Sequence, residues 1–386
     1  MLQVHPFFRN LSHCLTLAVG LLCTLPLSAG AETGVTATEV IIGQNITLQG
    51  GKNAYGVSAF QGAKLYIDQV NASGGVHGRK LVLRTLDDDN KASDAEANAQ
   101  QLVRGGAFIL FGSIEGGPST AVAKVAEDAG VPLFGPMAGA PGLRRPHKAM
   151  VFPVRAEHRE EFRALMTWGK QVGLKTVGFM HADSDTGREH LENVKIIANT
   201  LNLQVVQPLP FKSDITDAQL DQLVQSVLRT RPDMMLNHGS PGVYEKLINK
   251  AKRAGSKTNF MAVNSGSSQI AKGLGPLAEG MLFAQVVPSP WERKREITRE
   301  YQDAARHANA EPVFTYGGME GFMTAKALVL ALRAAGRDLT RAGLVRSLET
   351  GQFDLGGLTS RYRVSNHEGS HFVDLSMVAR DGRFLH

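Results

Sequence analysis

The chain has 386 residues, 43% apolar and 20% charged, with 42 Lys plus Arg against 36 Asp plus Glu for a net charge of +6. That composition excludes disorder or a coiled coil as a description of the whole and fits about two or three domains. Two cysteines, Cys14 and Cys23, are too few for a disulfide scaffold.

The first element is a leader. Arg9 precedes an apolar run from Cys14 to Leu27, and Ala29 and Ala31 form a small-x-small cleavage site. This is the pattern of a secretory signal peptide over residues 1–31, cleaved after Ala31. Leu22 before Cys23 and His13 before Cys14 do not suit lipid attachment. The mature chain is then 386 − 31 = 355 residues, without cysteine and long enough to stand on its core alone.

A strand is expected over Val40–Ile46, followed by a loop opening at Gly50-Gly51 and an amphipathic helix over 56–73 stopped by Gly74-Gly75. Strand 81–86, helix 93–104 with Ser93 as its N-cap, strand 108–111, helix 119–129 and strand 132–134 continue the alternation. It restarts with helix 157–172 and strand 176–180. Helix 187–200, strand 203–209, helix 217–230, strand 233–237, helix 241–254 and strands 260–263 and 280–287 follow. Two consecutive βα arrays imply an α/β fold of two parallel, doubly wound sheets. Helices over 295–308, 319–335 and 340–350 come after the second array, then a strand over 372–379 and a turn at Asp381-Gly382. These late helices need a sheet to cover, so the chain is expected to cross back to the first.

In open parallel sheets ligands bind beyond the carboxyl ends of the strands. This selects the loops at 49–55, 112–118, 136–141, 181–186, 237–241 and 264–268. The most informative runs from Gly112 to Ser119, where Gly116 and Gly117 let backbone approach a ligand ahead of a helix whose first N–H groups suit an anion. The alternative is a plain βα turn capped by Ser119. No G-x-S-x-G, P-loop or G-x-G-x-x-G stands where nucleophile, nucleotide or dinucleotide chemistry would need it. His367 and His371 read as solvated rather than metal-ligating, Asp87-Asp88-Asp89 as a strand-to-helix loop, and the basic runs at 250–253 and 293–295 as solvated helix faces. No cofactor, metal or nucleic acid is expected.

Asn71 to Leu81 (NASGGVHGRKL) resembles the N-x-x-G-G-(apolar)-x-G-(basic)-(basic)-(apolar) signature of the leucine/isoleucine/valine-binding family of periplasmic solute-binding proteins of type I. Asp87-Asp88, Gly130-Val131-Pro132, Ala140-Pro141, Ala254-Gly255 and Gly280-Met281-Leu282 extend the likeness over roughly Val35 to Asp381. The resemblance implies two Rossmann-like lobes joined by three crossings, with the solute between them. The lobes would be 35–155 plus 288–363 and 156–287 plus 364–386. It implies a periplasmic receptor, not an enzyme, that closes over a small polar metabolite (amino-acid-like, an acid or an amide). The receptor passes it to the permease subunits of an ABC importer and meets the membrane only through them. A sensor handing its closed form to a membrane receptor uses the same fold and stays open as the alternative. An enzyme using Asp183 or Asp185 as a base, and a repressor core, are the remaining rivals.

Carried over residue by residue, the resemblance places a ligand carboxylate at the main chain of Gly116 and Gly117 and of the loop Met137, Ala138 and Gly139, with Glu115 beside it. The family's hydroxyl partners are replaced by Gly116 and Gly139. Its first-lobe aromatic is kept as Tyr55, and two second-lobe tyrosines become Thr186, beside Asp185, and Ser240. The acid that pairs with a ligand ammonium becomes Asn264, leaving Asp183, Asp185 or Glu115 to supply the charge. Leucine, isoleucine and valine are expected to bind poorly.

Overall fold

The computed structural model describes residues 1–3 and 32–386, apart from 213 and 310. The expected leader lies largely outside the described residues. Glu32–His386 form one compact unit.

The first sheet is built from β1 (Glu39–Ile46), β2 (Lys80–Asp87), β3 (Ile109–Phe111), β4 (Leu133–Phe134) and β5 (Val151–Phe152). Its order is β2-β1-β3-β4-β5 and every pairing is parallel. The crossovers between its first four strands are α1 (Gly50–Ala72), α2 (Ala92–Arg104) and α3 (Gly116–Ala129). The second sheet follows α4 (His158–Gln171). It takes β6 (Thr176–Ala182), β7 (Gln204–Phe211), β8 (Met234–His238), β9 (Asn259–Ala262) and β10 (Leu282–Gln285), linked by α5 (Asp185–Thr200), α6 (Asp217–Thr230), α7 (Pro241–Arg253) and α8 (Ser267–Leu274). These five strands run β7-β6-β8-β9-β10, the winding of the first sheet repeated.

The chain then supplies α9 (Glu296–Ala308), α10 (Tyr316–Ala334) and α11 (Arg341–Thr350), and a small hairpin of β11 (Gln352–Asp354) and β12 (Thr359–Arg361). Side chains of α9, α10, α11 and β11 join the core of the first sheet, as do Leu358 and Tyr362 on either side of β12. The last segment adds β13 (Asp374–Val378) antiparallel to β10 of the second sheet, and β14 (Phe384–Leu385) antiparallel to β13. The second sheet is therefore mixed rather than purely parallel.

α10 is buried along nearly its whole length, as expected of an apolar helix inside a lobe. Glycine makes its contact with α1 possible. A Cβ on Gly62 would lie 1.9 Å from the Gly318 carbonyl oxygen, and one on Gly321 1.9 Å from that of Ala59. The two helices meet backbone to backbone at these positions.

Four local expectations are corrected. Residues 50–55 are not a simple loop: α1 starts at Gly50 and is interrupted at Asn53, whose side chain accepts from the Gly56 N–H at 2.9 Å and caps the helix proper. Ser93 is not the N-cap of α2. That position is Lys91, and the Ser93 hydroxyl turns to Asp94 instead. Ser119 lies inside α3 rather than capping it, its hydroxyl 3.0 Å from that of Ser113. His367 is buried and held between the Val151 carbonyl and Glu349, while His371 stays exposed. Asp88 is a loop-builder as expected, accepting from Asn45 at 2.9 Å and Thr47 at 2.7 Å.

Candidate functional site

Both sheets reverse their strand order beside the first strand, between β1 and β3 and between β6 and β8. Such switch points open a crevice at the carboxyl ends of the strands. Those ends carry the 47–53 segment, Gly112–Glu115, Asp183 and His238.

The first-sheet wall consists of two adjoining loops. An isolated parallel bridge between Ile114 and Met137 sets residues 112–118 beside 136–141. α3 starts at Gly116 with no side-chain cap, which leaves the first N–H groups at Gly116 and Gly117 unpaired. On the second loop the Met137 N–H is taken by the Ser113 carbonyl at 2.7 Å. Arg144, buried beneath, donates to the carbonyls of Ala138 and Ala140 and to that of Arg155. Burial pushes Arg144 down to about 10, which still leaves it charged at neutral pH. With its carbonyls engaged, this loop offers donors to the crevice.

Glu115 is the residue before α3 and has φ 63° and ψ 153°. That region is essentially reserved for glycine and costs a side-chain-bearing residue about 1–3 kcal/mol. The backbone turns the carboxylate toward Asn53, which donates to it at 3.1 Å. Burial raises the Glu115 pKa, with His158, Asn53 and Arg155 partly offsetting it.

Across the crevice lies a buried charged network. Arg155 binds Glu161 closely, and its Nε is 3.9 Å from Glu320 of α10. Glu161 also meets His158 Nδ1 at 2.8 Å and accepts the Asn264 main-chain N–H at 2.7 Å. Burial is the largest influence on Glu161 and opposes its ionisation, but Arg155, His158 and the Asn264 N–H together outweigh it and hold the carboxyl below its ordinary range. For Glu320 burial wins and the pKa rises. Tyr55 donates to Glu320 and accepts from Asn264 Nδ2 at 2.6 Å, and the same nitrogen lies 3.3 Å from Glu320. Asn264 thus joins the second-sheet wall to Tyr55 and Glu320 of the first. Among the described residues, Glu320 Oε1 and Asn264 Oδ1 are buried acceptors without a hydrogen-bond partner.

Of the residues expected at the site, Tyr55, Glu115, Gly116, Gly117, Met137, Ala138, Gly139 and Asn264 lie on these facing walls. Gly139 is pressed against His158: a Cβ there would be 2.6 Å from the imidazole. Thr186 and Ser240 are half-buried at the N-termini of α5 and α7. Asp183 and Asp185 are not brought in. Both pair with Arg188 at the surface, and the Asp185 side chain is 96% exposed. The inward carboxylates are Glu115, Glu161 and Glu320. Sequence reasoning missed Arg155, Glu161 and Glu320. A glutamate inside the apolar run 319–335 was a usable signal, because a charge on a buried helix needs a partner.

A third group lines the second-sheet side. His158, His190 and His238 meet with ring centroids 3.9–5.3 Å apart. Burial, then neighbouring histidines, hold His190 and His238 well below the ordinary imidazole range, so both are neutral.

Two doubly wound lobes of identical winding, facing across a crevice of strand ends, define the type I class of periplasmic solute-binding proteins. The chain belongs to the periplasmic binding protein family, whose model matches residues 39–383. It is 27% identical over 238 residues to the Leu/Ile/Val-binding protein of Citrobacter freundii, covering 60% of this chain and 63% of that one. It is 24% identical over 261 residues to the leucine-, isoleucine-, valine-, threonine- and alanine-binding protein of Pseudomonas aeruginosa, covering 67% and 68%. The chain therefore spans just under two thirds of the first of these relatives. A possible leucine/isoleucine/valine-binding protein from Rhodopirellula baltica shares the fold, with a TM-score of 0.82 at 23% identity over 92% of this chain and 98% of that one.

Proposed function

We propose that the chain is an extracytoplasmic receptor that closes two lobes over a small amino-acid-like acid or amide and delivers it to the permease subunits of an ABC importer. The lobes are 35–155 plus 288–363 and 156–287 plus 364–386, which is supported by the sheet each segment joins. One observation carries the reading: donors and acceptors are segregated in the crevice. Main-chain N–H groups at Gly116-Gly117 and Ala138-Gly139 suit the solute carboxylate. The unpaired oxygens of Glu320 and Asn264 suit its amine or amide. Glu320 offers a carboxyl for that end which the sequence at 264 lacks.

The remaining wall at His158, His190, Thr186 and Ser240 is polar, so a branched aliphatic side chain gains little there. Calorimetry with a panel of amino acids, amides and dicarboxylates tests this. A polar member should bind with micromolar or tighter affinity, about −8.2 kcal/mol, and leucine far more weakly. If no amino-acid-like solute binds more tightly than about 1 mM, or if leucine leads the panel, the reading is wrong.

A further inference from the structure

We propose that His158, His190 and His238 form a binding site for a zinc-class divalent metal ion in the second lobe, beside the solute crevice. Each residue offers one ring nitrogen, and the three nitrogens lie within 4.8 Å of one another. Imidazole is the natural ligand of such ions, and three histidines leave tetrahedral zinc one position for water or a solute atom.

Three observations separate this cluster from ordinary core histidines. The first is that its nitrogens are free. Both ring nitrogens of His190 and Nδ1 of His238 are buried without a hydrogen-bond partner among the described residues. A buried histidine serving only to pack normally satisfies at least one nitrogen. The second is an outer shell. His158 gives Nδ1 to Glu161 at 2.8 Å, which leaves Nε2 as its ligand atom. A carboxylate behind a histidine fixes the ring and its tautomer in metal sites. Glu161 is itself fixed by Arg155 and by the Asn264 N–H.

The third observation is placement. His158 opens α4, His190 is on α5 and His238 ends β8. The site thus draws on three rigid elements at one end of a sheet. Zinc–nitrogen bonds of about 2.0–2.1 Å require ligand nitrogens about 3.3 Å apart. The cluster must tighten by roughly 1.5 Å, which ring rotation supplies, since His190 and His238 have no side-chain hydrogen bonds to break among the described residues. The histidines are 32 and 48 residues apart, so no local spacing advertises them.

The test uses the full chain without a histidine tag, stripped with a chelator and titrated with zinc by calorimetry and with cobalt by visible absorption. The expected result is one zinc per chain at micromolar or tighter Kd, and the intense bands of tetrahedral cobalt. His190→Phe and His238→Gln should each weaken zinc binding by more than the roughly 10–100-fold that loss of an outer-shell partner costs. Circular dichroism reports whether each variant folds, and if His190→Phe does not, His238→Gln decides. Absence of stoichiometric zinc binding, octahedral cobalt spectra, or undiminished affinity in a folded His238→Gln would each overturn the site. Solute calorimetry with chelator present keeps this outcome separate from the receptor reading.

Discussion

Replacing Glu115 separates what its backbone costs from what its side chain does. Glu115→Gly and Glu115→Ala delete the same carboxylate and the same contact with Asn53. They differ only in how the new residue tolerates φ 63° and ψ 153°. Alanine keeps the strain of about 1–3 kcal/mol. Glycine escapes it but gives up about 0.5–1 kcal/mol of backbone entropy. From the middle of each range the glycine variant should therefore be the more stable by roughly 1 kcal/mol. Unfolding entropy of about 2.1 cal/mol/K per residue over some 355 residues converts 1 kcal/mol to roughly 1.3 °C. Differential scanning calorimetry should then place Glu115→Gly about 1–2 °C above Glu115→Ala. Equal melting temperatures, or alanine above glycine, would refute the claim that strain is stored here.

Three further outcomes follow from the same geometry. Asn264→Asp replaces a donor to Tyr55 and Glu320 by a second carboxylate, and should cost about 2–3 kcal/mol in denaturant unfolding at pH 7, recovering toward pH 4. Gly321→Ala drives a methyl into the Ala59 carbonyl, and should lower stability by about 1–3 kcal/mol through forced separation of α1 and α10; an unchanged melting temperature would contradict the backbone contact. The third concerns pH. Burial raises the folded-state pKa of Glu115, so its contribution to stability is full below the unfolded carboxyl value and is lost as pH rises through the folded one. Thermal melts should show the parent losing ground to Glu115→Gln as pH rises above the ordinary carboxyl range, and parallel curves would count against it.

The fold was legible where the chain repeats itself. Alternating apolar runs and amphipathic helices exposed both arrays, and the restart at Glu157 exposed the second. Strand order was not legible, because period and composition do not say which strand is a neighbour. The two-residue strands β4 and β5 are too short for any periodic signal, and β5 was missed.

At the site, the glycine-rich loop and Tyr55 were readable because each sits in a loop at a strand end. Glu320 was hidden in a helix read as core, 265 residues from the tyrosine it binds. Asp183 and Asp185 misled in the opposite sense. Acids at or just before a helix's first turn favour its N-terminus whether or not they face a ligand, and here Asp183, ahead of the N-cap, and Asp185, in the first turn, pair with Arg188.

The late return of the chain to both sheets bears on biogenesis. The first lobe is filled by α10, which becomes available only once residue 334 has been made, and the second gains β13 only after residue 378. A ribosome releasing this polypeptide from its N-terminus would therefore emit two open sheets before it emits the pieces that close them. Contacts of such long sequence separation form slowly. A nascent chain of this kind stays open until its last elements have been made. It also means that loss of the last fifteen residues would leave β10 as a bare edge, open to pairing with another molecule.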